Sequence, residues 1–180
     1  MRTNMKVSTL LPIMAAFIGI SASAMEISSQ DIKEGQLMGK TFEFSGMGCN
    51  GSNLSPQLSW TKIPPGTKSF AITAYDPDAP TGSGWWHWTV LNIPVSTLSL
   101  PQGASGKASP GLETRTDFGK PGFGGACPPK GDGMHRYQFT VWALPKAKID
   151  LPADISPAVV GYTLNSMVIE KAVLTATYVR

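Results

Sequence analysis

The ten residues from His135 to Leu144, HRYQFTVWAL, carry the clearest strand pattern of the chain. Residues 135, 137, 139 and 141 fall on one side of an extended backbone and residues 136, 138, 140 and 142 on the other, because side chains alternate with a period of two along a β-strand. Aromatic and β-branched residues, which are enriched in strands, are frequent among them. The segment therefore predicts a long strand around which the rest of the fold is built.

Stretches on either side of this strand show related patterns. Residues 69–75 (SFAITAY) alternate in the same way. Residues 86–93 (WHWTVLNI) are rich in aromatic and β-branched side chains and stop at Pro94, which has no N–H to donate. Residues 41–44 and 172–179 also predict strands. Several short strands separated by turns are typical of an antiparallel β-sandwich.

One segment near the end of the chain predicts a helix. Ser156 supplies an N-cap, Pro157 suits the first helical position, and apolar residues then recur at nearly helical spacing up to Ile169. A second, shorter helix is predicted over residues 29–35. The predicted fold class is therefore mainly β, an antiparallel β-sandwich with one C-terminal helix and few other short helices.

The first 24 residues predict a secretory signal peptide. They combine the basic residues Arg2 and Lys6, an apolar run of about 14 residues and a small-residue exit that ends at Ala24, after which cleavage is expected. Residues 25–180 are expected to form a single domain, located in the periplasm or secreted. Because no apolar run reaches about 18 residues, no transmembrane anchor is expected.

The charge distribution disfavours nucleic acid as a partner. The chain has 15 Lys and Arg against 12 Asp and Glu, and removal of Arg2 and Lys6 with the signal leaves 13 against 12. The basic residues are scattered singly, whereas a phosphate backbone calls for clustered Lys and Arg. We therefore expect no nucleic-acid partner.

Two histidines and two aspartates stand out as candidate site residues. His87 and His135 are the only histidines, and each leads a predicted strand after a Pro- or Gly-rich turn. Asp76 and Asp78 lie in the turn DPDAP, which two prolines make stiff. The connection 116–134, with six glycines, runs into His135, and connections of this length are often functional. We expect these side chains to meet in one cavity.

Three chemistries are open for such a cluster. Two neutral imidazoles and two carboxylates suit a cation such as Zn²⁺, although the spacing matches no zinc motif. If the carboxylates instead favour protonated imidazoles, the cavity offers N–H donors to an anion such as phosphate or carboxylate. A nucleophilic Ser83 or Ser45 is the third option, but no G-x-S-x-G elbow is present.

Cys49 and Cys127 are predicted to form a disulfide. They are the only cysteines of the chain, and an even number in an exported protein indicates pairing in an oxidising compartment. The bond would tie the loop at residues 46–53 to the loop that leads into His135.

Four motifs are similar to those of the phosphatidylethanolamine-binding protein family (PEBP), in its bacterial, exported YbcL-like branch. They are SPQLSW (55–60), DPDAP (76–80), WWHWTVLNIP (85–94) and GFGGACPPKGDGMHRYQF (122–139). The resemblance runs over residues 46–144. It implies the β-sandwich of the family and a small pocket for phosphate-type anions, including phospholipid headgroups.

The resemblance also implies a set of ligand-binding residues. Asp76 and Asp78 match the paired acids, Trp85 matches the aromatic wall, and His87 and His135 match the two histidines. The pocket rim and its phenol are matched by Gly125, Pro128, Pro129 and Tyr137. On the predicted strand, His135 and Tyr137 share a face, so both can point into one cavity.

The expected function is that of a binding protein. We expect no catalytic activity, no cofactor and no metal, and a small phosphate-type anion or phospholipid headgroup as the partner. Two alternatives stay open. The protein would otherwise be a regulator that acts through its surface on a protease, a kinase pathway or a host partner, or a metal-assisted hydrolase built on the same residues.

Overall fold

The computed structural model describes residues 24–106 and 108–180. The predicted signal peptide, apart from Ala24, lies outside these residues, and its assignment stays a prediction. The elements of the described part are, in chain order, β1 (Glu26–Ser28), β2 (Ser45–Gly46), β3 (Cys49–Asn50), β4 (Leu58–Thr61), β5 (Ser69–Asp76), β6 (Trp85–Pro94), β7 (Ser99–Leu100), β8 (Leu112–Glu113), β9 (His135–Leu144), α1 (Pro157–Met167) and β10 (Glu170–Tyr178).

The centre of the fold is a five-stranded sheet with the order β10-β9-β5-β6-β8. All neighbouring strands in it are antiparallel. Strand β9 has the predicted bounds and lies inside the sheet, between β10 and β5. Its backbone groups are therefore paired on both sides, which fits its nearly complete burial.

Two layers cover the faces of this sheet. On one face, the three-stranded sheet β1-β4-β7 contributes Leu58, Trp60 and Leu100 to the main core, where Trp60 packs edge-on against Phe70 at 5.4 Å between ring centroids. On the other face, α1 packs its buried residues against a second apolar cluster. The predicted mainly antiparallel β fold with one C-terminal helix is confirmed.

Helix α1 begins as predicted, with Ser156 as the N-cap and Pro157 as its first residue. It has 11 residues, and the apolar side chains on one side of it face the sheet. In the described ranges, no helix combines the length and the apolar character that crossing a bilayer requires.

Two local predictions are wrong. Residues 41–44 do not form a strand, because the backbone N–H groups of Phe42 and Glu43 bond back three residues and close a 3-10 turn over Lys40–Phe42. Residues 29–35 do not form a helix. The Ser29 hydroxyl accepts two backbone N–H groups as a helix start would, but the Gly35 N–H then bonds to the Thr175 carbonyl of β10 at 2.8 Å.

The antiparallel order brings the ends of three strands to one edge of the central sheet. Strand β5 ends at Asp76, which pairs with Trp85 at the start of β6. Strand β9 starts at His135 on the same edge, opposite Tyr178 of β10. Residues that are far apart in the sequence therefore meet at this edge, together with the β2–β3 turn and the connection between β8 and β9.

Candidate functional site

A cavity of about 180 Å³ lies at this edge of the sheet. Four parts of the chain line it, together with one residue of the β2–β3 turn. The lining residues are Met47 from that turn, Asp76, Ala79, Pro80 and Thr81 after β5, Trp85 and His87 of β6, Phe118, Cys127, Pro128 and Pro129 from the connection before β9, and His135 and Tyr137 of β9. Most of these side chains are apolar or aromatic, so the few polar groups stand out.

The structure brings together seven of the nine residues that were predicted to bind a ligand. Those that line the cavity are Asp76, Trp85, His87, Pro128, Pro129, His135 and Tyr137. The other two, Asp78 and Gly125, do not line it, and each has a different place in the fold.

Asp78 is paired with Arg136 on the surface. Its carboxylate accepts hydrogen bonds from the Arg136 guanidinium at 2.7 and 2.9 Å and from the Arg136 backbone N–H at 2.9 Å. These bonds, with the Arg136 side chain foremost, lower the pKa of Asp78 to about 2. Asp78 therefore fastens the turn after β5 to the start of β9 and has no free oxygen to offer a neighbouring histidine.

Gly125 lies behind the cavity, where two loops come into close contact. Its N–H donates to the Asn53 side chain at 2.7 Å. A Cβ atom at this position would lie 2.3 Å from the Phe42 carbonyl oxygen and 2.6 Å from the Phe44 nitrogen. Glycine is thus required by the close approach of the backbones.

Asp76 and His135 form a buried pair. The Asp76 Oδ2 atom lies 2.8 Å from the His135 Nδ1 atom, and both residues are 2% exposed. The other carboxylate oxygen of Asp76 accepts the backbone N–H groups of Asp78 and Ala79 at 2.8 and 3.1 Å. The stiff DPDAP turn therefore holds the carboxylate in one orientation toward the imidazole.

His135 has a second carboxylate partner, which the sequence did not suggest. The Asp132 Oδ2 atom lies 3.2 Å from the His135 Nε2 atom. Burial opposes the charged imidazolium, but the hydrogen bonds and charges of Asp76 and Asp132 outweigh it and raise the pKa of His135 above its ordinary value. With a carboxylate on each ring nitrogen, the geometry favours the imidazolium form of His135.

His87 has the opposite character. Its Nδ1 atom lies 2.7 Å from the Gly124 carbonyl oxygen, so the neutral ring carries its proton on Nδ1 and a lone pair on Nε2. Burial lowers the pKa of His87, although the Gly124 carbonyl works in the other direction. Its ring packs edge-to-face against Tyr137 and Phe118, at centroid distances of 5.1 and 5.4 Å. The cavity thus combines one charged and one neutral imidazole.

The Tyr137 hydroxyl is a buried donor without a partner. Tyr137 is 2% exposed, and its oxygen makes no hydrogen bond of normal geometry in the described part of the chain, although the Asp76 carboxylate and the Cys127 backbone lie close to it. Burial, with the Asp76 charge next, raises the pKa of this phenol, so it keeps its proton. A buried hydroxyl is normally bonded, and this one belongs to a residue of the cavity wall.

The whole domain, and not only the cavity, matches one protein family. The family model described as phosphatidylethanolamine-binding protein aligns with residues 28–179. The chain belongs to the phosphatidylethanolamine-binding protein family. The cavity residues Asp76, His87, His135 and Tyr137 all lie within the matched range.

Relatives from Escherichia coli (strain K12) place the chain in the UPF0098 group of this family. The UPF0098 protein YbcL is 52% identical over 179 residues, which cover 96% of each chain. The UPF0098 protein YbhB is 50% identical over 158 residues, 86% of this chain and 99% of that protein. The crystal structure of Escherichia coli YbcL, described as a new member of the mammalian PEBP family, has a TM-score of 0.85 at 50% identity and covers 88% of this chain and 99% of that one.

Several members of the cavity wall were missed from the sequence. One of them is Phe118, whose ring centroid lies 5.5 Å from that of Trp85 and 4.5 Å from that of Phe44. Its place in the long 116–134 connection was a signal, because that connection was expected to be functional. Met47, which is 69% exposed at the mouth, gave no such signal.

The structure also bears on the other chemistries that the sequence left open. Neither Ser83 nor Ser45 lines the cavity, and the Ser83 carbonyl oxygen instead accepts the Tyr75 hydroxyl at 2.8 Å. Among residues 24–106 and 108–180, no three His, Cys, Asp or Glu side chains are grouped as metal ligands.

Cys49 and Cys127 are joined by a disulfide, as predicted. The bond connects β3 to the connection before β9, next to Pro128 and Pro129 in the cavity wall. The Arg180 guanidinium lies against it, with Nη1 2.8 Å from the Cys49 sulfur. The disulfide therefore fixes the outer wall of the cavity to the rest of the fold.

Proposed function

We propose that this protein is an exported, non-enzymatic binding protein whose cavity holds a small phosphate-type anion. The family takes its name from a phospholipid, and the phosphodiester of a phospholipid headgroup is a monoanion of this type. The cavity offers the three features that such a group needs. These are hydrogen-bond donors, a compensating cation and an apolar surround that strengthens both.

The observation that carries this proposal is the free Tyr137 hydroxyl. A buried, protonated O–H group without an acceptor favours a ligand that brings one. The His135 imidazolium supplies a positive charge in the same wall. A ligand without a hydrogen-bond acceptor would leave the Tyr137 donor without a partner.

The size of the cavity supports a headgroup rather than a whole lipid. Its volume is about 180 Å³, which is that of a small cavity. A phosphate group with a few further heavy atoms fills this space, whereas an acyl chain does not fit in it. Any longer part of a ligand would extend past Met47 into solvent.

Three observations support export. The disulfide between Cys49 and Cys127 is typical of proteins that fold outside the reducing cytosol. The first 24 residues carry the pattern of a secretory signal. A more distant relative from Mycobacterium tuberculosis, 36% identical over 104 residues, is named a putative lipoprotein.

Substitution of Tyr137 by phenylalanine tests whether the Tyr137 hydroxyl donates a hydrogen bond to the ligand. The Tyr137→Phe variant is expected to bind glycerophosphoethanolamine, a soluble phosphodiester, about tenfold more weakly, because it lacks one donor to the anion. Its free energy of unfolding should stay the same or rise by up to about 1 kcal/mol, since the lost hydroxyl has no partner in the protein. Titration calorimetry and urea unfolding measure the two quantities.

Tyr75→Phe is the matched control for that experiment. The Tyr75 hydroxyl bonds to the Ser83 carbonyl outside the cavity, so its loss should leave the affinity for the phosphodiester unchanged. Equal affinities of the Tyr137→Phe variant and the wild type would contradict the proposal.

The two histidines predict a fall of anion affinity as the pH rises. His87, with its lowered pKa, gains a proton only below its ordinary value of about 6.5, whereas His135, with its raised pKa, keeps its proton until above that value. Both charged forms favour a bound anion, so the affinity should fall about tenfold between about pH 5 and pH 9. A phosphodiester without an amine, such as dimethyl phosphate, is required as the probe because its own charge is constant over this range.

Single histidine variants separate the two steps of this profile. The His135→Gln variant should lose the step on the alkaline side, and the His87→Gln variant the step on the acid side. Asp78, with a pKa of about 2, and Tyr137, with its raised pKa, do not titrate in this window. An affinity that is flat or increases with pH would count against the anion cavity.

A further inference from the structure

The two carboxylates that hold His135 are fixed to different degrees. Asp76 is 2% exposed, and both of its oxygens are engaged. The Asp132 side chain is 40% exposed and lies 3.2 Å from the imidazole. In the part of the chain that the structure describes, the Asp132 carboxylate has no other hydrogen-bond or ion-pair partner. Of the two, Asp132 is therefore the one that can leave.

The backbone around Asp132 is compatible with such a movement. Asp132 lies between Gly131 and Gly133, whose φ angles are +80° and +98°. Glycine adopts this region without steric cost, and neither glycine would bring a Cβ within 4 Å of another group. The turn faces solvent, so the carboxylate can be rehydrated as soon as it separates from His135.

Asp132 occupies the position on His135 that an incoming anion needs. A carboxylate and a phosphodiester carry the same charge, and both accept a hydrogen bond from an imidazolium N–H. The Nδ1 atom is already bonded to the fixed Asp76, so Nε2 is the nitrogen through which His135 can reach a ligand. An anion that binds the Nε2–H must first take the place of the Asp132 carboxylate.

We infer that Asp132 is an internal competitor for the anion cavity. It neutralises His135 while the cavity is empty and is displaced when a monoanionic phosphate-type ligand binds. This inference rests on the proposed function of the cavity. It makes ligand binding an exchange of one anion for another, so the measured affinity is lower than the intrinsic affinity of the open cavity.

The charges around His135 also indicate which anion is accepted. Two carboxylates, Asp76 and Asp132, already contact the His135 imidazole, one at each ring nitrogen. A monoanion that replaces Asp132 on Nε2 leaves the balance at His135 unchanged, whereas a dianion adds a second negative charge close to Asp76. Like charges at this range repel, and a phosphodiester is therefore preferred over a fully ionised phosphomonoester.

Removal of the Asp132 charge tests the inference directly. At about pH 6, the Asp132→Asn variant is expected to bind dimethyl phosphate, a monoanionic phosphodiester, about tenfold more tightly than the wild type. Asp132→Gly removes the acceptor completely and should shift the affinity in the same direction. Inorganic phosphate serves as the second probe, and the ratio of the two affinities distinguishes a headgroup phosphodiester from free phosphate as the source of the anion.

Asp150→Asn is the matched control, because it removes one negative charge from a side chain that is 97% exposed. This variant should bind both probes like the wild type. The pKa of His135, followed by NMR without ligand, should be lower in the Asp132→Asn variant than in the wild type. Displacement predicts that the Asp132→Asn variant binds the ligand more tightly even though the pKa of its His135 is lower. If Asp132 only supported the charge of His135, the variant would bind the ligand more weakly.

The outcomes distinguish failure of the Asp132 inference from failure of the proposed anion-binding function. If the wild type binds a probe and the Asp132→Asn variant binds it equally or more weakly, Asp132 is not a competitor, while the anion cavity stands. If neither the wild type nor any variant binds either probe, the proposed function fails and the inference fails with it. Tight binding by the variant with weak binding by the wild type supports both.

Discussion

Substitution of Cys49 and Cys127 by alanine is expected to lower the free energy of unfolding by about 4 kcal/mol. The disulfide joins residues that are 78 positions apart, and a cross-link over such a loop removes much of the chain entropy of the unfolded state. In the folded state it also holds the cavity wall at Pro128 and Pro129 next to β3. Urea unfolding of the oxidised wild type and of the double variant measures the difference.

Reduced wild-type protein is the control for this prediction. In excess dithiothreitol it should unfold at the same urea concentration as the double variant, because both proteins lack the cross-link. Their different side chains at positions 49 and 127 should matter little. A loss below about 1 kcal/mol in both samples, or two free thiols in the oxidised protein by mass spectrometry, would contradict the expected role of the bond.

The long elements of the fold could be predicted because each carries its own pattern. Strand β9 has the predicted bounds, β5 is one residue longer than predicted at its end, and β6 is one residue longer at each end. These strands have eight to ten residues, which is long enough for a strand pattern to be recognised in the sequence. Their order in the sheet, in contrast, depends on contacts that no single segment encodes.

Short elements could not be predicted in the same way. Strands β1, β2, β3, β4, β7 and β8 have two to four residues each. A sequence pattern of this length cannot be distinguished from a turn, and pairing with a distant strand determines whether the segment becomes a strand. The wrong strand over residues 41–44 has the same cause, because local bonds of a 3-10 turn satisfy the backbone there.

The candidate site was predictable in its composition but not in its pairings. The scarcity of histidine singled out His87 and His135, and the two lie in one cavity wall. Their pKa values are shifted in opposite directions, because burial dominates at His87 and two carboxylates dominate at His135, and this depends on the three-dimensional arrangement. Asp132 lies only three residues before His135 on a glycine-rich turn, and this spacing is the signal by which it could have been found.

Substitution of Asp76 by asparagine is expected to destabilise the fold by about 3 kcal/mol near pH 6. The change keeps the size of the side chain and an oxygen for the N–H groups of Asp78 and Ala79. It removes the charge that compensates the His135 imidazolium in a site where both residues are 2% exposed. A buried cation that loses its fixed partner is costly, because water cannot replace that partner. Urea unfolding at a series of pH values measures the effect.

The pH dependence identifies the ion pair as the source of this loss. The pKa of His135 is raised in the folded state, so the stability that the pair contributes is complete below about pH 6.5, the ordinary histidine value, and is lost as the pH rises through the folded pKa. The cost of Asp76→Asn should therefore shrink toward pH 9. The Asp76 charge also acts on His87, but the pKa of His87 is lowered, so this ring is neutral from about pH 6.5 to pH 9 and does not alter the trend there. Asp78→Asn, two residues away on the exposed pair with Arg136, should cost no more than about 1 kcal/mol. Equal losses in the two variants, or a loss in Asp76→Asn that does not change with pH, would show that this carboxylate acts only by shape and backbone hydrogen bonding, and His135 would then not be the cation on which the anion cavity depends.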